Sequence, residues 1–375
     1  MLRRLSAGAA AAAAAPHAAV KAFGATSGPA AETFRSSKPI RLHRSESVHG
    51  PSPKVIAAIQ EAAGHPVSRY PDAEAEALQR RIASLHAVAP ERVVLGCGSS
   101  EILRAAIDAF AGPQKKLLAA LPTFESIHQY ARRAGAEVVG VPLSREWSHD
   151  LGAMLERTDA STGLVYICNP NNPTGSLTRR QDLEEFLRKL PAGVFVLIDE
   201  AYHHYVGESA DYASFIDRPV DDRRVIVTRT FSKIHGLAGL RVGYAVASAQ
   251  TARTLESHCL SDGVSVVAAR AAAAALDDAE SVRLSVGWNA DDRQEFLNQA
   301  SARMLRSIDS LTNFVMLNAG RPAGPVYEHL TTHQILVPRP VPALESYIRV
   351  SLGTPADMRE FWRVWDLMPG GHMHG

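Results

Sequence analysis

The sequence lacks three features that often narrow a protein's function: abundant cysteine, a strong net charge and a long apolar run. Its three cysteines stand at wide spacing, at Cys97, Cys168 and Cys259. An odd number of widely spaced cysteines indicates neither a disulfide framework nor a zinc site, and no metal site is expected. The 40 basic side chains nearly balance the 39 acidic ones, so no nucleic-acid surface is expected. No stretch reaches the roughly 18 apolar residues that a membrane span needs.

Residues 1–37 differ in composition from the rest of the chain. They begin with a basic pair, Arg3 and Arg4, and continue with an alanine run, small residues and a proline. This pattern resembles an export signal of the twin-arginine type, which carries folded proteins across a membrane. It is equally typical of a disordered, low-complexity leader. Both interpretations stay open, so the protein is expected either in the cytoplasm or exported in its folded state.

Beyond the leader, three apolar runs predict a parallel β-sheet. These short runs lie in "GLVYICNP", "VFVLIDEAY" and "RVIVTRTFSK". Continuous rather than alternating hydrophobicity is typical of strands that helices cover on both faces. The stretch "TRRQDLEEFLRKL", between the first two runs, has apolar residues at helical spacing and predicts a strand–helix–strand crossover.

The character of the chain changes again near residue 263. Alanine-rich helices come first, followed by the short strand patterns "NFVMLNA", "ILVPRP" and "SYIRVSLG". With 375 residues, the chain suits one large or two moderate domains. We therefore predict an N-terminal arm at 38–70, a large domain at 71–262, a small α+β domain at 263–368 and a disordered tail at 369–375.

Each of the three predicted parallel strands ends in polar residues. Asn169 to Asn172 follow the first strand, Asp199 the second, and Thr230 to Lys233 the third. Because the carboxyl ends of parallel strands lie along one edge of a sheet, these side chains should converge on one crevice. An amine and a carboxylate in one crevice are the minimum requirement for pyridoxal phosphate chemistry. Lys233 could form a Schiff base with the cofactor aldehyde, and Asp199 could keep its pyridine nitrogen protonated.

Three motifs connect the chain to a known family. The motifs "NPNNPTG", "DEAYHHY" and "RTFSKIHGLAGLRVGY" resemble those of the class I and II aminotransferases of fold type I, and most of all the histidinol-phosphate aminotransferase branch. The resemblance implies an α/β fold with a large domain, whose mostly parallel seven-stranded sheet lies between helices, and a smaller C-terminal α+β domain. It also implies pyridoxal 5′-phosphate as cofactor, an amino donor and a 2-oxo acid acceptor as substrates, and a homodimer with shared active sites. The arm at 38–70 would join the small domain and the dimer interface.

The resemblance assigns roles to matching positions around the cofactor. Lys233 would carry the cofactor and move the proton from the substrate α-carbon, while Asp199 would hold the pyridine nitrogen. Asn172 and Tyr202 match the groups that hydrogen-bond the cofactor's 3′-oxygen. Phe124 matches the aromatic residue that stacks on the cofactor ring.

The remaining cofactor candidates would hold its phosphate: Thr230, Ser232, Arg241, Gly98, Ser99, Ser100 and Tyr70. Hydroxyls and a two-pronged guanidinium are donors that suit phosphate. The glycine turn "GCGSSE" precedes a predicted helix N-terminus, where free N–H groups favour an anion. The resemblance implies that Tyr70 reaches the phosphate of the neighbouring subunit, so the active site would require a homodimer.

Three further positions are substrate candidates. Arg349 matches the arginine that holds the substrate α-carboxylate, and Asn313 is a further candidate near the substrate. His49 stands where many members of the branch place a tyrosine near the substrate phosphate. Arg339 could bind an anionic side chain or lie at the surface.

Transamination is the function that these motifs predict, by transfer of an amino group to the cofactor and then to a 2-oxo acid. A decarboxylase or β-lyase on the same scaffold is an alternative, because small changes in the pocket decide which substrate bond is broken. A non-catalytic binding module is a more distant alternative, although Lys233 is present and no basic helix-turn-helix precedes the domain.

Overall fold

The computed structural model describes residues 39–64 and 67–369. The predicted leader at 1–37 and the predicted tail from residue 370 onward lie outside the described residues. The strands are β1 Ile40–Arg41, β2 Val93–Gly96, β3 Lys116–Leu121, β4 Val138–Pro142, β5 Thr162–Cys168, β6 Phe195–Asp199, β7 Val225–Thr230, β8 Gly243–Val246, β9 Arg306–Ile308, β10 Phe314–Asn318, β11 Ile335–Leu336 and β12 Tyr347–Ser351. The helices are α1 Pro53–Gly64, α2 Asp72–Leu85, α3 Ser99–Phe110, α4 Glu125–Arg133, α5 Leu151–Glu156, α6 Arg180–Lys189, α7 Ala249–Glu256, α8 Val266–Leu276, α9 Ala279–Ala302, α10 Ala323–Thr332 and α11 Pro355–Asp366.

Seven of the strands form one sheet in the order β2-β8-β7-β6-β5-β3-β4. The strands from β3 to β7 pair in parallel, while β8 runs antiparallel to β7 and to β2. Every residue of β5 and of β7 is buried. Burial on both strand faces is what the continuous apolar runs predict, and it requires helices on both sides of the sheet. The predicted α/β fold with a mostly parallel, seven-stranded sheet is confirmed.

Neighbouring residues of β5 point to opposite faces of the sheet and enter two separate cores. Val165 and Ile167 pack with α2, α5, α6 and α8, whereas Leu164 and Tyr166 pack with α3, α4 and α7. The crossover helix α6 buries its apolar face in the first of these cores. Each such aliphatic side chain stabilises the fold by about 1.5–3 kcal/mol. The sheet is therefore a rigid platform for the loops at its edge.

A smaller layer comes from the C-terminal part of the chain. β12, β10 and β9 form a three-stranded antiparallel sheet, and α9, α10 and α11 pack with it around a core that includes Phe296, Val326 and Phe361. The arm reaches this layer because β1 pairs in parallel with β11, with Ile40 opposite Ile335. The smaller α+β part is therefore present. The predicted domain boundaries stay a prediction, and α8, just past residue 263, packs in a core of the large sheet.

The topology places the three predicted polar clusters at one edge of the large sheet. β5, β6 and β7 are adjacent and parallel, with Cys168 opposite Asp199 and Asp199 opposite Thr228. Their carboxyl ends, and the loops that follow, therefore lie side by side. In the part of the chain that the structure describes, no helix is long and apolar enough to cross a membrane. Those same residues contain no group of three or more His, Cys, Asp or Glu side chains that could hold a metal ion.

Candidate active site

A cavity of about 1210 Å³ opens at this edge of the sheet. Its wall combines the three strand ends with residues 43–46 of the arm, residues 121–126 around the start of α4, and residues 338–342 before β12. Lys233 and Asp199 both line the cavity, so the amine and the carboxylate share one space. Pyridoxal phosphate chemistry requires this arrangement.

Lys233 is placed by the turn that follows β7. Its Nζ donates hydrogen bonds to the carbonyl oxygens of Arg44, at 3.0 Å, and of Ser45, at 3.1 Å. Burial and, next, the positive charge of Arg349 lower the pKa of Lys233 to about 7. A large fraction of the amine is therefore neutral near pH 7, and only the neutral amine is a nucleophile.

Asp199 lies at the end of β6 and is 4% exposed. Its Oδ2 accepts a hydrogen bond from the Tyr166 hydroxyl at 2.9 Å, and its Oδ1 accepts from the Ala201 N–H at 3.2 Å and the Thr228 hydroxyl at 3.3 Å. Burial raises the pKa of this carboxyl, and the three hydrogen bonds oppose the rise. A carboxylate buried this deeply beside a cavity favours a positively charged ligand group, such as a protonated pyridine nitrogen.

Three candidates from distant segments touch one another in the cavity wall. Asn172 donates from Nδ2 to the Tyr202 hydroxyl at 3.5 Å and accepts from Arg349 Nη1 at 2.5 Å. Arg349 also donates to the carbonyl oxygen of His43 at 2.6 Å, and burial lowers its pKa. Its Nε is buried and has no hydrogen-bond partner among the described residues. The planar fork of an arginine in this position suits a carboxylate.

The phosphate candidates gather where β7 ends and α3 begins. Thr230 donates to the Ser232 hydroxyl at 2.9 Å, and Arg241 Nη1 donates to the same oxygen at 3.4 Å. Gly98 has a φ of +73°, and a Cβ at this position would overlap the Arg241 guanidinium. Ser99 begins α3, and no side chain caps this helix end. Free N–H groups, hydroxyls and a guanidinium thus lie together, and this donor set fits a phosphate.

Phe124, Ser99 and Ser100 also line the cavity, whereas Tyr70 does not. Phe124 immediately precedes α4, and Ser100 belongs to the first turn of α3. Tyr70 is 77% exposed on this chain. Its predicted role concerns a neighbouring subunit and stays a prediction.

His49 and Asn313 lie outside the cavity lining. His49 stacks on Trp288 of α9, with ring centroids 4.6 Å apart. Asn313 is 4% exposed and donates to the carbonyl oxygen of Ser45 at 3.0 Å, the oxygen that also accepts from Lys233. The structure therefore places His49 against α9, and it places Asn313 behind the cavity wall, where its hydrogen bond holds Ser45.

Sequence reasoning did not find two parts of this wall. Residues 43–46 contribute carbonyl oxygens to Lys233 and Arg349, and backbone acceptors leave no signature in a side-chain pattern. His128 is 6% exposed and lines the cavity four residues beyond Phe124. Residues four apart share a helix face, so this spacing could have indicated His128.

Comparison with known proteins agrees with this geometry. The profile of the family described as "Aminotransferase class I and II" matches residues 38–364. The chain belongs to this family. Histidinol-phosphate aminotransferase 2 of Carboxydothermus hydrogenoformans is 37% identical to this aminotransferase, over 86% of this chain and 88% of that protein. The histidinol-phosphate aminotransferase of Akkermansia muciniphila is 36% identical, over 85% of this chain and 86% of that protein.

Solved structures share the fold of this aminotransferase. Histidinol-phosphate aminotransferase from Sinorhizobium meliloti, in complex with pyridoxal-5′-phosphate, superposes with a TM-score of 0.81 at 28% identity and covers 89% of this chain and 90% of that one. Aspartate aminotransferase from Thermus thermophilus with maleate superposes with a TM-score of 0.77 at 20% identity, over 88% of this chain and 92% of that one, and shows the fold alone. The predicted enzyme class is confirmed: this chain is a pyridoxal phosphate-dependent aminotransferase that acts on amino and keto acids.

Proposed function

We propose that the enzyme moves the amino group of histidinol phosphate, or of a similar amine or amino acid, to a 2-oxo acid, with Lys233 at the reacting centre. The observation that carries the proposal is the shared cavity, in which Lys233, Asp199 and Arg349 line one space. The names of the relatives support histidinol phosphate as the donor. Arg349 supports a carboxylate on the acceptor, because its buried fork matches that group.

The residues present fit pyridoxal 5′-phosphate. The hydroxyls and guanidinium at the end of β7, with the first turn of α3, would hold its phosphate. Asp199 would hold the proton on its pyridine nitrogen, and the contacting pair Asn172 and Tyr202 would donate to its 3′-oxygen. When bound, the cofactor supplies an electrophilic carbon and a ring that withdraws electrons from the substrate α-carbon.

Lys233 has the properties of a proton carrier at that carbon. Its pKa of about 7 allows it to accept a proton and to release it again near neutral pH. Arg349 would orient the acceptor's carboxylate, and holding reactants in place removes much of the entropic part of a barrier. Together these two side chains would bind the substrate and move its proton within one cavity.

A single-turnover screen tests this proposal. The cofactor-loaded enzyme is mixed with histidinol phosphate, glutamate and other amino donors one at a time, and the cofactor's visible absorbance and the product are recorded. We expect a keto product and an amino group retained on the enzyme, which an added 2-oxo acid then removes. Release of carbon dioxide or ammonia would contradict transamination and would indicate a decarboxylase or a lyase.

We also propose that the enzyme works as a homodimer, in which the partner subunit's Tyr70 reaches the cofactor phosphate. The position of Tyr70 supports this, because a large aromatic side chain 77% exposed beyond α1 is available to a second copy. Sedimentation should then show twice the chain mass of 40.4 kDa. Tyr70→Phe should weaken cofactor binding by about tenfold or less, the value of one hydrogen bond. A fully active monomer would refute the proposal.

A further inference from the structure

His128 is a buried imidazole in the cavity wall that the reaction described above does not use. It is the fourth residue of α4 and lines the same cavity as Lys233. Its side chain is 6% exposed, and neither ring nitrogen makes a hydrogen bond to a described residue. About nine in ten buried polar groups in folded proteins have a hydrogen-bond partner. An unpaired buried group in a cavity wall therefore points to a partner that a ligand supplies.

The neighbouring wall shows why His128 stands out. Residues 121–126 belong to the same stretch of wall, and Thr123 is the other buried polar residue in it. The Thr123 hydroxyl already donates to Asn171 Oδ1 at 2.8 Å. Of these two buried polar side chains, Thr123 has a hydrogen-bond partner and His128 has none among the described residues.

The charge state of His128 indicates what kind of group it suits. Burial and, next, the positive charge of Arg132 lower the pKa of His128, while Glu125 opposes them. The ring is therefore neutral at pH 7, with one N–H donor and one nitrogen acceptor. Such a ring pairs with hydroxyl, amide and carboxylate groups, and it offers nothing to a purely apolar side chain.

We propose that His128 is a specificity-determining residue that hydrogen-bonds the substrate's side chain and favours amino donors whose side chain ends in a hydrogen-bonding group. This inference rests on the proposed function, since it places an amino donor in the cavity. Phe124 lies four residues earlier and lines the same cavity, so the two side chains share one side of the α4 region. The wall would thus present an aromatic surface and one polar contact to the same bound molecule.

The test compares His128→Phe with a matched control, His149→Phe. His149 is likewise a buried imidazole, 4% exposed with an unpaired Nε2, but it does not line the cavity. For each enzyme, kcat/KM is measured for donor pairs that differ in one polar group, tyrosine against phenylalanine and glutamate against norvaline. His128→Phe should lower the preference for the polar member by about tenfold, mainly through KM. The control should leave this preference within about twofold, and His128→Gln, which keeps a donor and an acceptor, should restore part of it.

A second measurement needs no turnover and separates this inference from the proposed function. Calorimetry gives the affinities of cofactor-loaded enzyme for 3-(4-hydroxyphenyl)propionate and 3-phenylpropionate, two unreactive acids without an amino group. If no donor is transaminated, the proposed function fails, but the ratio of these two affinities still tests His128.

Equal ratios in the wild type and in His128→Phe, in both measurements, would overturn the inference. Weaker cofactor binding in His128→Phe with unchanged ratios would also overturn it, because the cofactor would then be the missing hydrogen-bond partner of His128. A response of the tyrosine pair supports a neutral hydroxyl contact, and a response of the glutamate pair supports a carboxylate contact.

Discussion

Two sets of side chains leave the same strand tips in different directions. Asp199 and Thr230 line the cavity. Their chain neighbours Glu200 and Arg229 do not line it, and they form an ion pair with 3.2 Å between Arg229 Nε and Glu200 Oε2. This alternation follows from the pleat of a strand, which sends successive side chains to opposite faces. We call the first set the cavity set and the second the back set.

The back set is satisfied by the protein itself. Glu200 accepts hydrogen bonds from the Ser214 hydroxyl at 2.6 Å and from the Phe215 N–H at 2.9 Å, in addition to its contact with Arg229. Arg229 also reaches Asp217 at 3.2 Å. Such buried ions tolerate the loss of water because their hydrogen bonds are complete.

The cavity wall differs, because several of its polar groups lack a complete set of protein partners. Arg349 Nε and His128 Nε2 have no hydrogen-bond partner among the described residues. The Lys233 amine is held by two backbone carbonyls and no carboxylate. In the cavity wall, unlike in the back set, folding therefore leaves hydrogen bonds unmade that a ligand in the cavity would complete. Changes in the cavity wall should reduce activity and spare stability, and changes in the back set should do the reverse.

Lys233→Ala should show the largest effect. Loss of the nucleophile and proton carrier should slow turnover by about 10⁴-fold, the upper range for general acid–base catalysis. The free energy of unfolding should change little, because no buried ion pair is broken. Stopped-flow single turnovers and denaturant unfolding of the same preparation measure the two quantities. Lys189→Ala, a change in a lysine on exposed α6 surface, is the control, and turnover retained in Lys233→Ala would refute the assigned role.

Arg229→Met tests the back set. It leaves Glu200 as a buried carboxylate without its cation, so the free energy of unfolding should fall by about 3–5 kcal/mol. Urea denaturation of the cofactor-free protein measures this loss. Arg363→Met removes an exposed partner of Glu360 and should change the stability little. Similar small losses of stability in both variants would show that the buried ion pair contributes no more to stability than the exposed one.

The places of Asp199 and Lys233 in the cavity could be predicted from sequence because local patterns specify them. The apolar runs of β5 to β7 mark three parallel strands, and the rule for strand ends then places Asp199 and Lys233 at one edge. The residues 43–46 could not be predicted, since they act through carbonyl oxygens and arrive by the pairing of β1 with the distant β11. Tertiary packing also decides the place of His49. Its contact with Trp288 cannot be predicted from a local motif.

Arg349→Lys should have a smaller effect on activity than the loss of Lys233. A lysine keeps the charge but cannot offer two parallel hydrogen bonds, so KM for a 2-oxo acid should rise by about 10- to 100-fold. The value of kcat should change less, because the lost contact stabilises the bound acid and the transition state alike. Steady-state kinetics with a 2-oxo acid and with an aldehyde acceptor that has no carboxylate provide the comparison. An equal rise in KM for both acceptors would contradict a carboxylate contact.

His235, whose pKa is affected by the charge of Arg229 in the back set, should also make the stability depend on pH. This ring packs against Phe231 and meets His204 edge to face, with centroids 5.1 and 5.2 Å away. Burial and, next, the charge of Arg229 lower the pKa of His235 to about 4. In the unfolded chain the pKa of a histidine is about 6.5, so between these values the unfolded chain binds a proton that the folded protein does not. Stability should therefore fall as the pH falls from about 6.5 towards 4, with a slope of at most about 1.4 kcal/mol per pH unit for this one residue.

His235→Phe keeps an aromatic ring in place and removes the proton site. Denaturation at pH 6 and at pH 5 should show that the variant loses about 1.2 kcal/mol less stability over this interval than the wild type. Turnover at pH 7 should stay close to that of the wild type, since His235 does not line the cavity. The same pH slope in both proteins would mean that His235 titrates alike in the folded and unfolded states. Lower turnover with an altered slope would mean that the back set also shapes the cavity, and the division between the two sets would fail at this position.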